Sequence, residues 1–179
     1  MSAVEQSRLK REGVGLRAYD PQRAWAGYTL FAPLLTHDRR AYLIDMYGAV
    51  AHTWELPNRP GNYGYLTERG TLFYNGMVEE DAGRFISRQP WKGGAALELD
   101  WQGRVLWEVR HSDHHHDGRR LRNGNVILLC MAPLPPAIAR RVRGGRPGTE
   151  EHGQIYGDYL VELTTDGRPV WEWRSWEWL

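Results

Sequence analysis

Apolar residues in this chain fall in short runs of alternating character, separated by Gly, Asn, Asp and Pro rather than by helix-length periodic stretches. That pattern predicts short β-strands joined by tight turns. Three segments share a finer design: Ala41-Tyr-Leu-Ile-Asp45-Met-Tyr-Gly48-Ala-Val50, leading to Trp54-Glu55; Ala96-Leu-Glu-Leu-Asp100-Trp-Gln-Gly103-Arg-Val105-Leu-Trp107-Glu108; and Leu160-Val-Glu-Leu-Thr-Thr-Asp166-Gly167-Arg-Pro-Val170-Trp171-Glu172. Each reads as a strand, an Asp/Gly turn, a second strand with Val, and then Trp-Glu. A further hairpin precedes each of the last two. Leu121-Arg-Asn123-Gly124-Asn125-Val-Ile-Leu-Leu129 carries the Asn-Gly signal of a type I′ turn, and Leu66-Thr-Glu-Arg-Gly70-Thr-Leu-Phe-Tyr74 is a looser copy.

Two hairpins per repeat make four antiparallel strands, the architecture of a propeller blade. The shared glycines Gly48, Gly103 and Gly167 recur at intervals slightly longer than the ~40–50 residues of a typical blade. The expected fold class is therefore all-β, with about three four-stranded antiparallel blades of a partial six-bladed β-propeller over residues 19–179. Residues 1–18 form a polar N-terminal segment. A β-sandwich with similar hairpins is the competing reading. The stretch from residue 132 to 157 breaks the repeat with Pro133, Pro135, Pro136, Gly144, Gly145, Pro147 and Gly148, and predicts a long loop or a short helix followed by a loop. Its Arg140, Arg141, Arg143 and Arg146 read either as a solvated basic face or as a mouth that draws in anions.

Bulk composition narrows the partners. Lys+Arg number 23 against 22 Asp+Glu, so no global field recruits nucleic acid or an anionic membrane. No apolar run approaches the ~20 residues of a membrane-spanning helix, and the first 13 residues lack the apolar core of a secretory signal. These features predict a cytoplasmic protein, or a periplasmic one if a signal was removed. The single Cys130 rules out an intrachain disulfide. Nine Trp and nine Tyr against three Phe suit sheet faces and channel linings.

The densest reactive cluster is His111-Ser-Asp113-His114-His115-His116-Asp117, ahead of the Leu121 hairpin. Three readings stay open. A metal site needs three or four converging ligands, yet neighbouring strand residues point to opposite faces, so His114 and His116 converge while His115 needs a bend to join them. A structural reading places the imidazoles in hydrogen-bond networks. A catalytic reading aims one into a channel. The sequence holds no phosphate-cradling loop, dinucleotide fingerprint or nucleophile elbow.

The order of motifs resembles the bacterial arylsulfotransferase family. The resemblance rests on Gly27-Tyr28-Thr-Leu-Phe-Ala-Pro33, the Asp45/Gly48 hairpin, His52-Thr-Trp54-Glu55-Leu-Pro57, Gly93-Gly94-Ala-Ala-Leu-Glu98-Leu-Asp100, His115-His116-Asp117 and Asn123-Gly124-Asn125. It implies the N-terminal part of a six-bladed propeller. It also implies transfer of a sulfuryl group from an aryl sulfate to a phenol without a nucleotide donor and without a metal or other cofactor. In that family a channel histidine is transiently sulfated, while other histidines and an arginine hold the sulfate oxygens. His116, then His115, are the implied catalytic candidates, in sulfate binding or acid/base support. Asn62 and Tyr63 take the corresponding place in the preceding repeat, counted from Leu66 and Leu121, and with His114 are the implied substrate contacts. Tyr63 reads equally as a packed aromatic. The expected partners are aryl sulfates and phenols. Exposed blade faces also predict self-association or completion by further blades. A non-catalytic propeller module that acts as a scaffold or binds small molecules is the alternative function.

Overall fold

The computed structural model describes residues 16, 18–34, 37–79, 93–144 and 154–178. These are nearly all β. Eleven strands form three antiparallel sheets, each a meander in which sequence neighbours pair. Sheet 1 holds β1 (Thr29–Phe31), β2 (Arg40–Ile44) and β3 (Val50–Glu55). Sheet 2 holds β4 (Pro60–Leu66), β5 (Leu72–Met77), β6 (Gly94–Leu99) and β7 (Val105–Arg110). Sheet 3 holds β8 (His114–Arg120), β9 (Val126–Pro133), β10 (Tyr156–Leu163) and β11 (Pro169–Arg174). The Pro-rich stretch after β9 contains one helical turn, Pro136–Ala139, and a 3-10 turn, Ser175–Trp178, follows β11. The segment 1–15 and the Arg146 end of the basic loop lie outside the described residues.

One turn geometry serves five hairpins. In the turns closed by Gly48, Gly70, Gly103, Gly124 and Gly167, the glycine N–H donates to the carbonyl three residues earlier, and that earlier residue's N–H donates to the carbonyl just past the glycine. All five glycines have φ between +76° and +89°. Asn123 does not share that conformation, since Asn62 is the one non-glycine with positive φ among the described residues. The Asn123-Gly124 pair therefore does not build the expected type I′ turn, which needs positive φ at both central positions. Leu121 to Gly124 instead form a turn whose last residue alone is left-handed, a bulge-type closure that the other four hairpins share.

The sheets stack face to face. Ala41, Leu43 and Trp54 of sheet 1 pack on Leu72, Tyr74, Ala95, Leu97 and Leu99 of sheet 2. The other face of sheet 2, with Phe73, Ala96 and Val109, packs on Val126, Leu128, Tyr159, Val161 and Leu163 of sheet 3. Strand β6 is thus buried along its whole length and reads as a continuous run of small and apolar residues rather than an alternating one. Its one charge, Glu98, is 1% exposed and held by Thr71, Arg69 and Arg120. Burial pushes the Glu98 carboxyl up, but the Thr71 hydroxyl and the two guanidiniums outweigh it and leave the group below its ordinary value.

Register corrects the alignment of the repeats. Leu43 pairs with His52, Glu98 with Trp107 and Glu162 with Trp171, each just before an irregularity at the same place in its hairpin. His52, not Trp54, therefore occupies the position of Trp107 and Trp171. The contacts agree: the His52 ring bonds through Nε2 to the Trp101 carbonyl at 2.8 Å, and Trp107 donates Nε1–H to the Thr165 carbonyl at 2.9 Å, in each case at the same point of the next sheet's turn.

Because Leu97 is fully enclosed between two sheets, Leu97→Ala is expected to cost about 2–5 kcal/mol. A fall in the denaturant midpoint at unchanged slope checks this, and a loss below about 1 kcal/mol would contradict the burial of Leu97 between sheets 1 and 2.

Candidate functional site

The first strands of sheets 2 and 3, β4 and β8, lie against each other and carry the same defect. Pro60 pairs with Gly76 and Gly64 with Tyr74; His114 pairs with Cys130 and Gly118 with Leu128. In both, the first strand spends extra residues between the paired positions and bulges out of the ladder. Counted from these pairs, Leu66 matches Arg120 rather than Leu121, so Asn62 matches His116 and Tyr63 matches Asp117. Asn62 sits at φ 90°, a conformation that asparagine tolerates better than most side chains.

The bulge supplies the bend that a regular strand lacks, and the three histidines part ways on it. His114 is fully buried. Its Nδ1 accepts the Gly94 N–H at 3.2 Å and its Nε2 lies 3.1 Å from the Asp117 carbonyl, which requires the proton on Nε2. Both ring nitrogens are bound to backbone, so His114 serves as an internal strut rather than facing substrate. A Cβ on Gly93 would lie 2.4 Å from the His115 carbonyl and 2.7 Å from His114 Nδ1, so only glycine fits behind this ring.

His115 and His116 meet instead. Their Nδ1 atoms are 2.6 Å apart and their ring centroids 4.6 Å. One proton lies between those nitrogens, since two donors would repel and two acceptors would not bond. His115 Nε2, buried, faces Asp158 Oδ1 at 3.5 Å, an ion-pair distance with no hydrogen bond formed. Asp158 is held below its ordinary value, chiefly by its interaction with His115. His116 is held below the usual histidine value by burial first and then by the neighbouring His115. Asn75 Nδ2 donates to the His116 carbonyl at 2.9 Å and fixes the bulge from beneath. The result is a neutral imidazole backed by a second imidazole and a carboxylate. When the shared proton sits on His116 Nδ1, its Nε2 carries a lone pair suited to base or nucleophile work.

Tyr63 stands on the neighbouring strand. Its hydroxyl accepts from Arg119 at 3.1 Å, and the same guanidinium lies 4.5 Å from the Tyr65 ring. Asn62 and Tyr63 line a cavity of about 270 Å³ between sheets 1 and 2, otherwise walled largely by apolar groups including Leu30, Phe31, Leu72 and Tyr74. A wider groove of about 660 Å³ carries Arg69, Arg119, Arg120 and Arg122. His115 and His116 line neither. Asn75 and Asp158, which touch the histidine pair, were not expected from the sequence, and nor was Arg119, which meets Tyr63. Asn75 alone left a signal there, as a polar residue inside the buried run of β5. Among the described residues no group of three or more His, Cys, Asp or Glu side chains is arranged to hold a metal ion, and no helix is long and apolar enough to cross a membrane.

No protein-family model and no curated protein matches this chain. Among solved structures it is similar to a protein of unknown function from Bacteroides caccae, at 16% identity and a TM-score of 0.47, over 83% of this chain. This chain spans 46% of the length of that one.

The lowered His116 value fixes the sign of a pH effect. An unfolded chain takes up a proton at this histidine near pH 6.5, whereas the folded chain resists until a lower pH. Stability is therefore expected to fall as pH drops below about 6.5 and to level off below the folded value. His116→Gln should remove this step. Ring-proton NMR of His116 checks it directly, and a midpoint at or above 6.5 would refute the assignment.

Proposed function

We propose that this chain is a segment of β-propeller type carrying an imidazole site for aryl sulfates and phenols, in which His116 acts as acid/base or sulfate-binding group for sulfuryl transfer. The observation that carries the reading is the 2.6 Å contact between the His115 and His116 Nδ1 atoms, backed by Asp158. A neutral imidazole oriented by a second one can take the proton of an acceptor phenol as its oxygen bonds to sulfur. It can return that proton to the aryl oxide released as the original S–O bond breaks. His115 and Asp158 act by orienting His116 and by carrying the charge that it gains. Arg119, on the same strand as His116, and Tyr63, on the neighbouring strand, are the proposed donors for sulfate oxygens, where charge builds in the transition state. The stacked meanders, with their shared turn and shared first-strand bulge, support the propeller assignment. The motif order of the arylsulfotransferase family supports the substrate class.

A second reading, a binding module without turnover, is favoured by the apolar cavity beside Asn62 and by the commitment of His114 to backbone. One experiment separates the two. The chain is incubated with 4-nitrophenyl sulfate, with and without added phenol; release of 4-nitrophenol is followed by absorbance and binding by calorimetry. Phenol-stimulated release that falls about 10²–10⁴-fold in His116→Ala is the expected result. Binding without release assigns the chain to the second reading, and neither binding nor release sinks both.

A further inference from the structure

We infer that the outer face of sheet 3 docks on the outer face of sheet 1 of a second copy of this chain, in a head-to-tail contact made twice in a two-fold dimer. The inference rests on the inter-sheet contacts alone and is independent of the sulfuryl-transfer reading. The chain already contains this interface twice. At the junction of sheets 1 and 2, the His52 ring reaches the Trp101 carbonyl; at the junction of sheets 2 and 3, Trp107 reaches the Thr165 carbonyl. Trp171 is the third member of the series by strand register. It stands 46% exposed on the far face of sheet 3.

The surface around Trp171 is that of a donor face without its neighbour. Register places Ile127, Glu162 and Trp171 in one row and Leu129, Leu160 and Trp173 in the next. In sheet 2 the matching rows hold Phe73, Glu98, Trp107 and Asn75, Ala96, Val109, which are covered by sheet 3. Trp171 and Trp173 remain exposed.

Sheet 1 offers the complementary half. Tyr42 and Ile44 take the places of Leu97 and Leu99 in sheet 2 and of Val161 and Leu163 in sheet 3, counted from the shared turn glycines. Beside them Phe31 is exposed and Val50 is 59% exposed. The turn from Asp45 to Gly48 has the same backbone bonds as the two turns that receive a ring N–H. A Cβ at Gly103 would lie 3.6 Å from Glu55 of the preceding sheet, and one at Gly167 would lie 3.1 Å from Val109. One at Gly48 would meet nothing within 4 Å. Donor face and receiving face are therefore both present, with Trp171 and Trp173 exposed on the one and Phe31 and Val50 exposed on the other, and Trp171 Nε1–H is matched to the Met46 carbonyl of the other copy. A contact between different surfaces of two identical chains closes when it is made twice about a two-fold axis.

The test is mass in solution by light scattering, with far-UV circular dichroism to confirm folding. The chain is expected at twice its 20.7 kDa mass. Trp171→Glu and Val50→Glu, both exposed positions, are each expected to run as folded monomers. Mixing the two variants is expected to restore dimer, because one intact contact survives in the pair. Trp171→Phe keeps the ring but loses the N–H, and is expected to weaken association by about tenfold. A monomeric parent chain, a dimer that survives both charged variants, open polymers in place of dimers, or a mixture that stays monomeric would each overturn the proposal. If a charged variant fails to fold, the Trp171→Phe shift and the mass of the parent chain still decide it.

Discussion

A ring N–H bonded to a turn carbonyl of the next sheet is the contact on which the stacking depends. Apolar burial between sheets is strong but non-directional, and alone it leaves them free to slide. The His52–Trp101 and Trp107–Thr165 bonds remove that freedom at the outer end of each sheet. At the opposite edge, Arg120 N–H donates to the Tyr65 hydroxyl and Arg119 to Tyr63, tying β8 to β4. Glu98 bridges the middle of the same junction, held by Arg69 and Thr71 of its own sheet and by Arg120 of the next. Sheets pinned at both edges and in the middle have one relative placement, and the site inherits it.

The imidazole pair depends on that placement because a bulge is not self-supporting. Residues looped out of a ladder lose their backbone partners, and buried polar groups must find others. Asn75 satisfies the His116 carbonyl, and His114 satisfies Gly94 and Asp117. Gly93 supplies the space for the ring to do so. His114 is thus explained by folding needs and His115 by its contacts with His116 and Asp158, and His116 is left half-buried. The local dielectric that holds it neutral also strengthens its interaction with His115 and Asp158.

Local grammar was legible in the sequence; register and long-range partners were not. The Asp/Gly and Asn-Gly turns and the paired hairpins could be read directly, because each depends on residues only a few positions apart, whereas the Pro-rich stretch reads as either a long loop or a short helix and holds one helical turn. The turn type at Asn123-Gly124 could not, since the dipeptide signal is overridden by a closure in which Gly124 alone is left-handed. The match of Trp54 to Trp107 failed for a related reason: a repeated dipeptide marks composition, whereas pairing is counted from the turn through an irregularity invisible in the letters. The histidine cluster stood out by density and the family resemblance singled out His116 and His115, but their division of labour with His114 rests on a two-residue excess in β8. Asp158 lies on β10, brought in by the β9–β10 register and by nothing near the histidines in the chain.

The outer strands show how such a structure leaves its faces open without leaving its edges open. An unpaired edge invites another strand, and proteins blunt that risk with charge. Each outer strand here carries an ion pair at its end: Arg40 with Glu55 on β3, Arg110 with Glu108 on β7, and Arg174 with Glu172 on β11. Exposed pairs of this kind add little to stability, so their value lies in keeping a foreign backbone from pairing at the edge. The tryptophans of β11, Trp171 and Trp173, stand two residues apart and so share one face of the sheet. A partner that approaches by strand addition meets charge, whereas one that approaches as a stacked sheet meets indoles in the positions that the chain itself uses twice to join its sheets. The proposed dimer therefore uses face-to-face association rather than edge-to-edge pairing, through the kind of contact that joins the sheets within the chain.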